Sequence, residues 1–444
     1  MNIFKHKYIP TQCLLVAIIL TLTACSLDVS NPNSATEEDV LSSAEGIRSF
    51  AIGMQGYYSE TAYPDVVLNT GVTTRELAIN TTFSSLVELE DGGTSLPGGN
   101  SRLNSIWDVM FRVVSMTGQL INNAPNVITD DAELSGIMAM SELYRAMALG
   151  YLIQSFEQSP IQAGDNVEFQ SRGDVLAEVI RLLDSARQRI NQTPPSSSFG
   201  NNILLTGFDL ANTIDAMRAR YNLLAGNYQA AIDASNEVDM SATSVFNYDG
   251  STTRNPIFDG VAQGDEGQEY APRDNFGTSV TESGDQRLDF YLNQTSEQST
   301  PNGLPIDNLV GFFTSASASI PVYLPGEMNL IRAEAYVNQD RPGDAVDEID
   351  NIRTKQPSED PFGVGADLPA YSGGTSDAAL FEEIYQQRSA ELFLTGMRFE
   401  DMRRLNRPVP SNDPALTAPR NRVYYPYPNQ ERQNNPNTPE NPPI

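Results

Sequence analysis

The chain has 444 residues, with 57 Asp and Glu against 28 Lys and Arg, 40% hydrophobic residues, one histidine and two cysteines. That is enough apolar material for a substantial core, and so acidic a surface repels phosphate, which argues against a nucleic-acid partner. His6 and Cys13 both fall in an N-terminal segment read below as a cleaved leader; without them, Cys/His zinc sites, Ser-His-Asp or Cys-His catalysis and histidine pH switching lack their residue types.

Lys5, His6 and Lys7 form a positive start, and Leu14 to Leu22 an apolar run broken only by Thr21. The run is too short to span a bilayer and reads as a secretory signal. It ends in Leu22-Thr23-Ala24-Cys25, which resembles the lipobox of bacterial lipoproteins. The resemblance implies removal of residues 1–24 and acylation of Cys25 on its sulfur, by palmitate or a similar chain, and on its new amino terminus. Ordinary cleavage, leaving Cys25 a free thiol, is the alternative. Residues 25–35 then read as a tether, and the lipid on Cys25 is the expected membrane attachment. Removing Lys5 and Lys7 leaves 26 basic residues against 57 acidic, a balance of −31, and a single cysteine that has no disulfide partner in its own molecule. Beyond the leader every basic residue except Lys355 is Arg. Adaptation to a salty medium and a simply acidic extracellular protein are both compatible with this balance.

Past the tether, Thr36-Glu37-Glu38-Asp39 reads as a capped helix start, and Val40, Ala44, Ile47, Ala51, Met54 and Tyr58 continue it as one apolar stripe. Residues 59–101, rich in Thr, Ser and Gly, read as an irregular surface segment. Helical character returns from Ile106 to Leu120. Glu133 to Phe156 is apolar on nearly every side and predicts a central buried helix ended by Ser159-Pro160. Val175 to Ile190 predicts a further amphipathic helix, stopped by Pro194-Pro195.

Ala219 to Ile232 resembles the end of one tetratricopeptide helix, its turn and the start of the next, with Gly226-Asn227 free to take the φ values of a tight turn and Ala231 small enough for close helix approach. Glu327 to Ile352 repeats the pattern, with Asp340 where Gly226 stands in the first unit. Such hairpins bury their faces only by stacking. The fold class expected is therefore all-α: a tetratricopeptide-like helical-hairpin scaffold over 36–240 and 320–407, with long irregular loop insertions. Residues 241–319, rich in Gly, Ser and Asp, form the irregular insertion, the expected ligand-binding region; 408–444 is a Pro-rich C-terminal segment.

Several strings together resemble the RagB/SusD family of nutrient-uptake lipoproteins. They are Leu27-Asp28 with Pro32, Ser141-Glu142-Leu143-Tyr144-Arg145-Ala146 with the later Pro160, and Ile320-Pro321-Val322 leading into Glu327 to Ala335. The most specific are Arg388 to Arg404, with its arginine, Glu391-Leu392, Gly396, Arg398, Asp401, Arg403 order, and the closing Tyr425-Pro426-Tyr427-Pro428. The resemblance covers almost all of the chain after the leader. It implies a lipid-anchored protein on the exterior of the outer membrane that captures an oligomeric nutrient and delivers it to a TonB-dependent outer-membrane transporter of the SusC type. Catalysis, cofactors and metals are not expected. The ligand implied is a glycan, with a peptide as the alternative.

A glycan site needs flat aromatic faces with polar groups beside them. Trp107 is the only tryptophan and, lying beside Val109, Met110 and Phe111 on a helix, reads as packing. The candidate contacts are aromatics of the irregular regions: Tyr63 and Phe83, then Phe246, Tyr248, Tyr270, Phe276 and Tyr291. Asp285-Gln286-Arg287, which resembles a family motif, reads as structural. In the Arg388 string, Arg388/Glu391, Arg398/Asp401 and Glu400/Arg404 stand three or four residues apart and can pair on a helix face. That makes the string scaffold. The competing reading is a carboxylate glycosidase built on Glu391 and Asp401, and a third has the helical grooves holding only protein partners.

Overall fold

The computed structural model describes residues 37–261, 268–277, 282–407 and 422–443. The leader, Cys25 and the tether lie outside the described residues, as does the first part of the Pro-rich segment.

The first helix is not continuous. Helix α1 (Glu37–Leu41) stops at Ser42, and Ser43 caps a second helix, α2 (Ala44–Tyr57), by accepting the Gly46 amide at 3.1 Å. Ser competes for backbone hydrogen bonds, so two in a row favour a new start over propagation. From Tyr58 the chain runs through one π turn (Tyr58–Ala62) directly into α3 (Tyr63–Thr73).

The expectation of an irregular surface over 59–101 is overturned here. Helix α3 is buried along almost its whole length, and β1 (Leu77–Ile79) and α4 (Ser84–Asp91) follow it. Its polar residues hid the helix in the sequence. They are satisfied one turn back: the Asn69 amide donates to the Asp65 carbonyl (2.8 Å), and the Thr70 and Thr74 hydroxyls donate to those of Val66 (2.8 Å) and Thr70 (3.0 Å). A side chain bonded within its own helix can be buried at little cost.

The scaffold proper then stacks in chain order. Helix α5 (Ser101–Val127) starts at Asn100, whose side chain accepts the Arg102 amide at 2.9 Å; α6 (Asp131–Ser155) starts at Asp130, which accepts the Glu133 amide at 2.7 Å. Helix α6 is the buried centre that the sequence predicts. Gly150 lets the helix that carries Tyr221 lie against it, because a Cβ there would stand 2.0 Å from the Tyr221 hydroxyl. Helix α7 (Arg172–Gln192) packs on α6, the short α8 (Ser197–Asn202) covers Gly136 with Phe199, and α9 (Leu210–Leu224) and α10 (Tyr228–Asn236) form the first tetratricopeptide-like hairpin. Gly226 takes φ 78° in its turn; in the second hairpin Asp340 takes φ 56° at the matching place. Asp is one of the few residues that tolerates this left-handed conformation.

Strand β2 (Val245–Phe246), α11 (Pro256–Gly260), β3 (Tyr270–Pro272), α12 (Gln286–Tyr291), β4 (Leu292–Ser299), β5 (Pro305–Leu309) and β6 (Ile320–Pro321) make up the insertion. The strands form three antiparallel two-stranded ribbons, β1 with β3, β2 with β6 and β4 with β5. One ribbon thus ties the insertion to the N-terminal region and another returns it to the scaffold.

Helix α13 (Pro325–Val337) and α14 (Pro342–Arg353) form the second hairpin, followed by α15 (Asp377–Glu391), α16 (Arg398–Arg404) and, after the C-terminal return, α17 (Asn429–Asn434). The two hairpins are joined by a buried fork, Arg220 Nε and Nη2 each donating at 2.6 Å to Glu327. Gly396, at φ 78°, breaks the Arg388 string into α15 and α16.

The string is scaffold, but its pairs are not the ones its spacing predicts. Arg388 bonds Asp401 at 2.8 Å, Arg404 also holds Asp401 and reaches Glu334, Arg398 lies 3.7 Å from Glu76, and Glu400 takes Arg172 (2.6 Å) as well as Arg403. Glu391 is wholly buried between Lys355 (2.6 Å) and Arg287 (3.2 Å). The break at Gly396 turns α16 back against α15, so Arg388 meets Asp401 across the turn, while Glu400 with Arg403 and Asp401 with Arg404 pair three residues apart along α16. In the tail, Tyr425 and Tyr427 are completely buried; the Tyr425 hydroxyl lies 2.7 Å from Thr73 Oγ1, and Tyr427 accepts the Gln158 amide.

Candidate functional site

Of the seven aromatics expected to meet ligand, only Phe83 is open to solvent, at 57% exposure, just before α4. Tyr63, Phe246, Tyr248, Tyr270, Phe276 and Tyr291 are all at 7% or less, so their ring faces are covered by protein. Tyr63 and Phe246 pack on one another at 5.8 Å between centroids. The Tyr248 hydroxyl donates to the Ser59 carbonyl (2.9 Å), that of Tyr270 to Asn69 (3.3 Å) and that of Tyr291 to the Glu391 carbonyl (3.2 Å). Phe276 packs on Phe393 at 4.9 Å. These rings fasten the insertion to the helices; a long segment of low helical content has no other way to bury apolar area. Asp285 and Arg287 form a buried ion pair at 2.6 Å, in keeping with the structural part expected of them.

A different place combines a cleft, aromatic walls and charged groups that stand outside any ion pair among the described residues. On α5, Trp107, Asp108, Phe111, Arg112 and Ser115 recur at helical spacing along one face and line one side of an open cleft of about 390 Å³. Pro160, Gln162, Ala163, Gly164 and Val167, from the connection between α6 and α7, line the other, and Glu431 of α17 closes an end. The volume lies within the range of small-ligand pockets.

Trp107 is a packing residue, as its neighbours in sequence suggest: it is 4% exposed, stacked on Phe169 (5.8 Å, 18°) and met edge-on by Phe156 and Tyr427. It still turns one edge into the cleft, next to the half-buried Phe111 at 4.7 Å. The Arg112 guanidinium lies 4.7 Å over the Tyr57 ring. The Asp108 carboxyl is raised above its usual range, first by burial and then by the charge of Glu431. Glu431 accepts the Asn435 amide at 2.9 Å. Among the described residues no Arg or Lys forms an ion pair with Asp108 or Glu431.

The i, i+4 spacing of Trp107 with Phe111 and of Asp108 with Arg112 is visible in the sequence and marks an aromatic edge beside a charged one. The partners that turn that face into a cleft come from residues 160–167 and 431, and no local pattern points to them. The carboxylates of the competing glycosidase reading, Glu391 and Asp401, are 0% and 3% exposed and each is held by two cations, an arrangement suited to holding α15 against α16.

No family sequence model and no curated protein sequence matches the chain. Solved structures do. A SusD superfamily protein from Bacteroides vulgatus superposes with a TM-score of 0.66 at 16% identity, covering 89% of this chain and 98% of its own. A SusD-like carbohydrate binding protein from the same organism gives 0.66 at 15% identity, over 90% and 98%. NanU of B. fragilis gives 0.64 at 13% identity, over 93% and 99%. Over about nine-tenths of its length, then, the chain has the fold of the SusD superfamily.

Proposed function

We propose that this protein is a cell-surface lipoprotein, anchored through Cys25, that binds an oligosaccharide and hands it to a TonB-dependent outer-membrane transporter of the SusC type without transforming it. The observation that carries this reading is the SusD fold over about nine-tenths of the chain, shared with a structure described as a carbohydrate binding protein. The lipobox-like sequence at Cys25 supports the anchor. Among the described residues no helix is long and apolar enough to cross a membrane, which leaves that anchor its part to play. The cleft between α5 and residues 160–167 supplies what sugar recognition requires: an apolar ring, Phe111, with Asp108, Arg112, Gln162 and Glu431 on the rim to meet hydroxyls.

Isothermal titration against glycan and peptide panels, with product analysis of the same mixtures, tests the reading. Binding of a glycan without turnover, lost in Phe111→Ala, is the expected result. Hydrolysis of the bound glycan, or binding confined to peptides, overturns it. Palmitate labelling that disappears in Cys25→Ala, and copurification with a large β-barrel protein from outer membranes, test the anchor and the transporter separately.

A further inference from the structure

The cleft on α5 carries two carboxylates against one guanidinium. Three charged groups line it: Asp108, Glu431 and Arg112. Arg112 is drawn aside onto the Tyr57 ring at 4.7 Å, and neither carboxylate is in an ion pair with any described residue. Several carboxylates elsewhere in this chain do find an Arg, as Glu133 does in Arg48 (2.7 Å), Asp215 in Arg187 (3.0 Å) and Glu348 in Arg332 (2.7 Å), whereas Asp108, at the exposed rim, does not. Asp108 and Glu431 line the same cleft, and burial together with the Glu431 charge resists the ionised form of Asp108. Like charges at the mouth of a small cleft with low-dielectric walls focus a field that attracts cations. The neighbouring Phe111 ring and Trp107 edge add an aromatic surface, the usual companion of a bound ammonium.

We propose that this cleft takes the cationic form of an amino sugar, a free amine on a pyranose ring seated between Asp108 and Glu431 with the apolar face of the ring against Phe111. The proposal rests on the sugar-binding reading above and narrows it to a substrate class. Ring and amine are both needed: the apolar wall, formed by Phe111, Pro160 and Val167, fits the flat side of a sugar better than a lone lysine arm, and the carboxylates favour an ammonium over an acetamide. Negative groups would be repelled, so acidic sugars should be excluded from this cleft.

Trp107 is the only tryptophan in the chain and lines the cleft, so its emission is a local reporter of occupancy there. The test titrates the full-length protein with three probes, glucosamine trimer, its fully N-acetylated counterpart and trilysine, by Trp107 fluorescence and by calorimetry. The glucosamine trimer should shift the Trp107 emission and bind about tenfold more tightly than the acetylated trimer, the scale of one partly desolvated ion pair. That preference should shrink as salt is raised, and it should disappear in Asp108→Asn and in Glu431→Gln. Both side chains lie at the rim, and far-ultraviolet dichroism confirms that the variants are folded. Equal binding of the two trimers, a preference retained in both variants, or tight binding of trilysine in place of the sugar overturns the proposal and leaves sugar binding standing. Failure of every glycan in the calorimeter, at any site, overturns the sugar-binding reading itself.

Discussion

Asp65 offers the sharpest test of the physical account of the N-terminal region. Its Oδ1 accepts the Asn69 amide at 3.1 Å, while Oδ2 is buried with no hydrogen-bond partner. Burial lifts its carboxyl to about 6, and Ser105, Arg102 and Asn69 offset this only in part. An acid in the first turn of a helix is normally helped by free amides there. Here the π turn runs into α3 without a break, and the Tyr63 amide is already bonded to the Tyr58 carbonyl, so little of that help is available. A rise from 3.8 to about 6 is roughly two pH units, and at about 1.4 kcal/mol each the ionised carboxylate costs the folded state about 3 kcal/mol. The sign follows from the folded state holding the proton more tightly: protonated Asp65 makes its full contribution below about pH 4, and this is lost as pH rises through about 6.

Asp65→Asn keeps the shape and the Oδ1 acceptor but never ionises, at the expense of a new buried donor worth about 1 kcal/mol. The variant should therefore be more stable than the parent by about 2 kcal/mol at pH 8 and equal or slightly weaker at pH 4. Urea unfolding of both proteins at pH 4, 5, 6 and 8 and fixed ionic strength measures this. Only the difference between them is informative, because the many other acids titrate identically in each. A difference independent of pH, or a parent more stable than the variant at pH 8, would refute the argument.

Arg220→Met leaves Glu327 buried without its fork and should lose about 3–5 kcal/mol, most of it regained when Glu327→Met is added; equal losses in the single and double variants would mean the fork does not join the two hairpins. Gly150→Ala should cost about 1–3 kcal/mol from overpacking, and adding Tyr221→Phe should not rescue it, since the ring carbons Cζ and Cε1 would still lie 2.2 and 2.4 Å from the new Cβ. Glu391→Gln unbalances Lys355 and Arg287 and should lower the unfolding midpoint in urea while leaving affinity for any bound glycan unaltered. A glycan-hydrolysing activity that vanished in this variant, with stability intact, would restore the glycosidase reading.

How much was legible in the sequence depended on whether one face of an element meets water. The helices around α6 and the hairpin at Gly226 have distinct inner and outer faces, and their periodicity or turn chemistry placed them correctly. Helix α3 has no outer face, and with Asn69, Thr70, Thr73 and Thr74 turned inward it imitates a loop. The aromatics of the insertion are hidden for a related reason. Irregular backbone does not imply exposed side chains: Tyr248, Tyr270 and Tyr291 bury their rings and spend their hydroxyls on the scaffold. The cleft on α5 could be half seen in the spacing of Trp107, Asp108, Phe111 and Arg112. Its other half comes from a connection some 50 residues later and from the C-terminal return, and only the fold brings these together.

The preference for Arg over Lys after the leader acquires a structural meaning from the same contacts. A guanidinium can serve two acceptors at once, and this chain uses that capacity inside: Arg353 spans Glu282 and Glu383, Arg404 spans Asp401 and Glu334, and Arg287 spans Asp285 and Glu391. Each of these cations is largely consumed by acids that hold helices or the insertion in place. The positive charge is thereby drawn into the protein, and the acidic excess of the composition is left to the surface. Salt should then separate two properties that share one origin. Buried forks are poorly screened, so unfolding should respond weakly to ionic strength, while the field that draws a cation toward Asp108 and Glu431 extends through solvent and should fade within a Debye length of about 10 Å at 0.1 M salt.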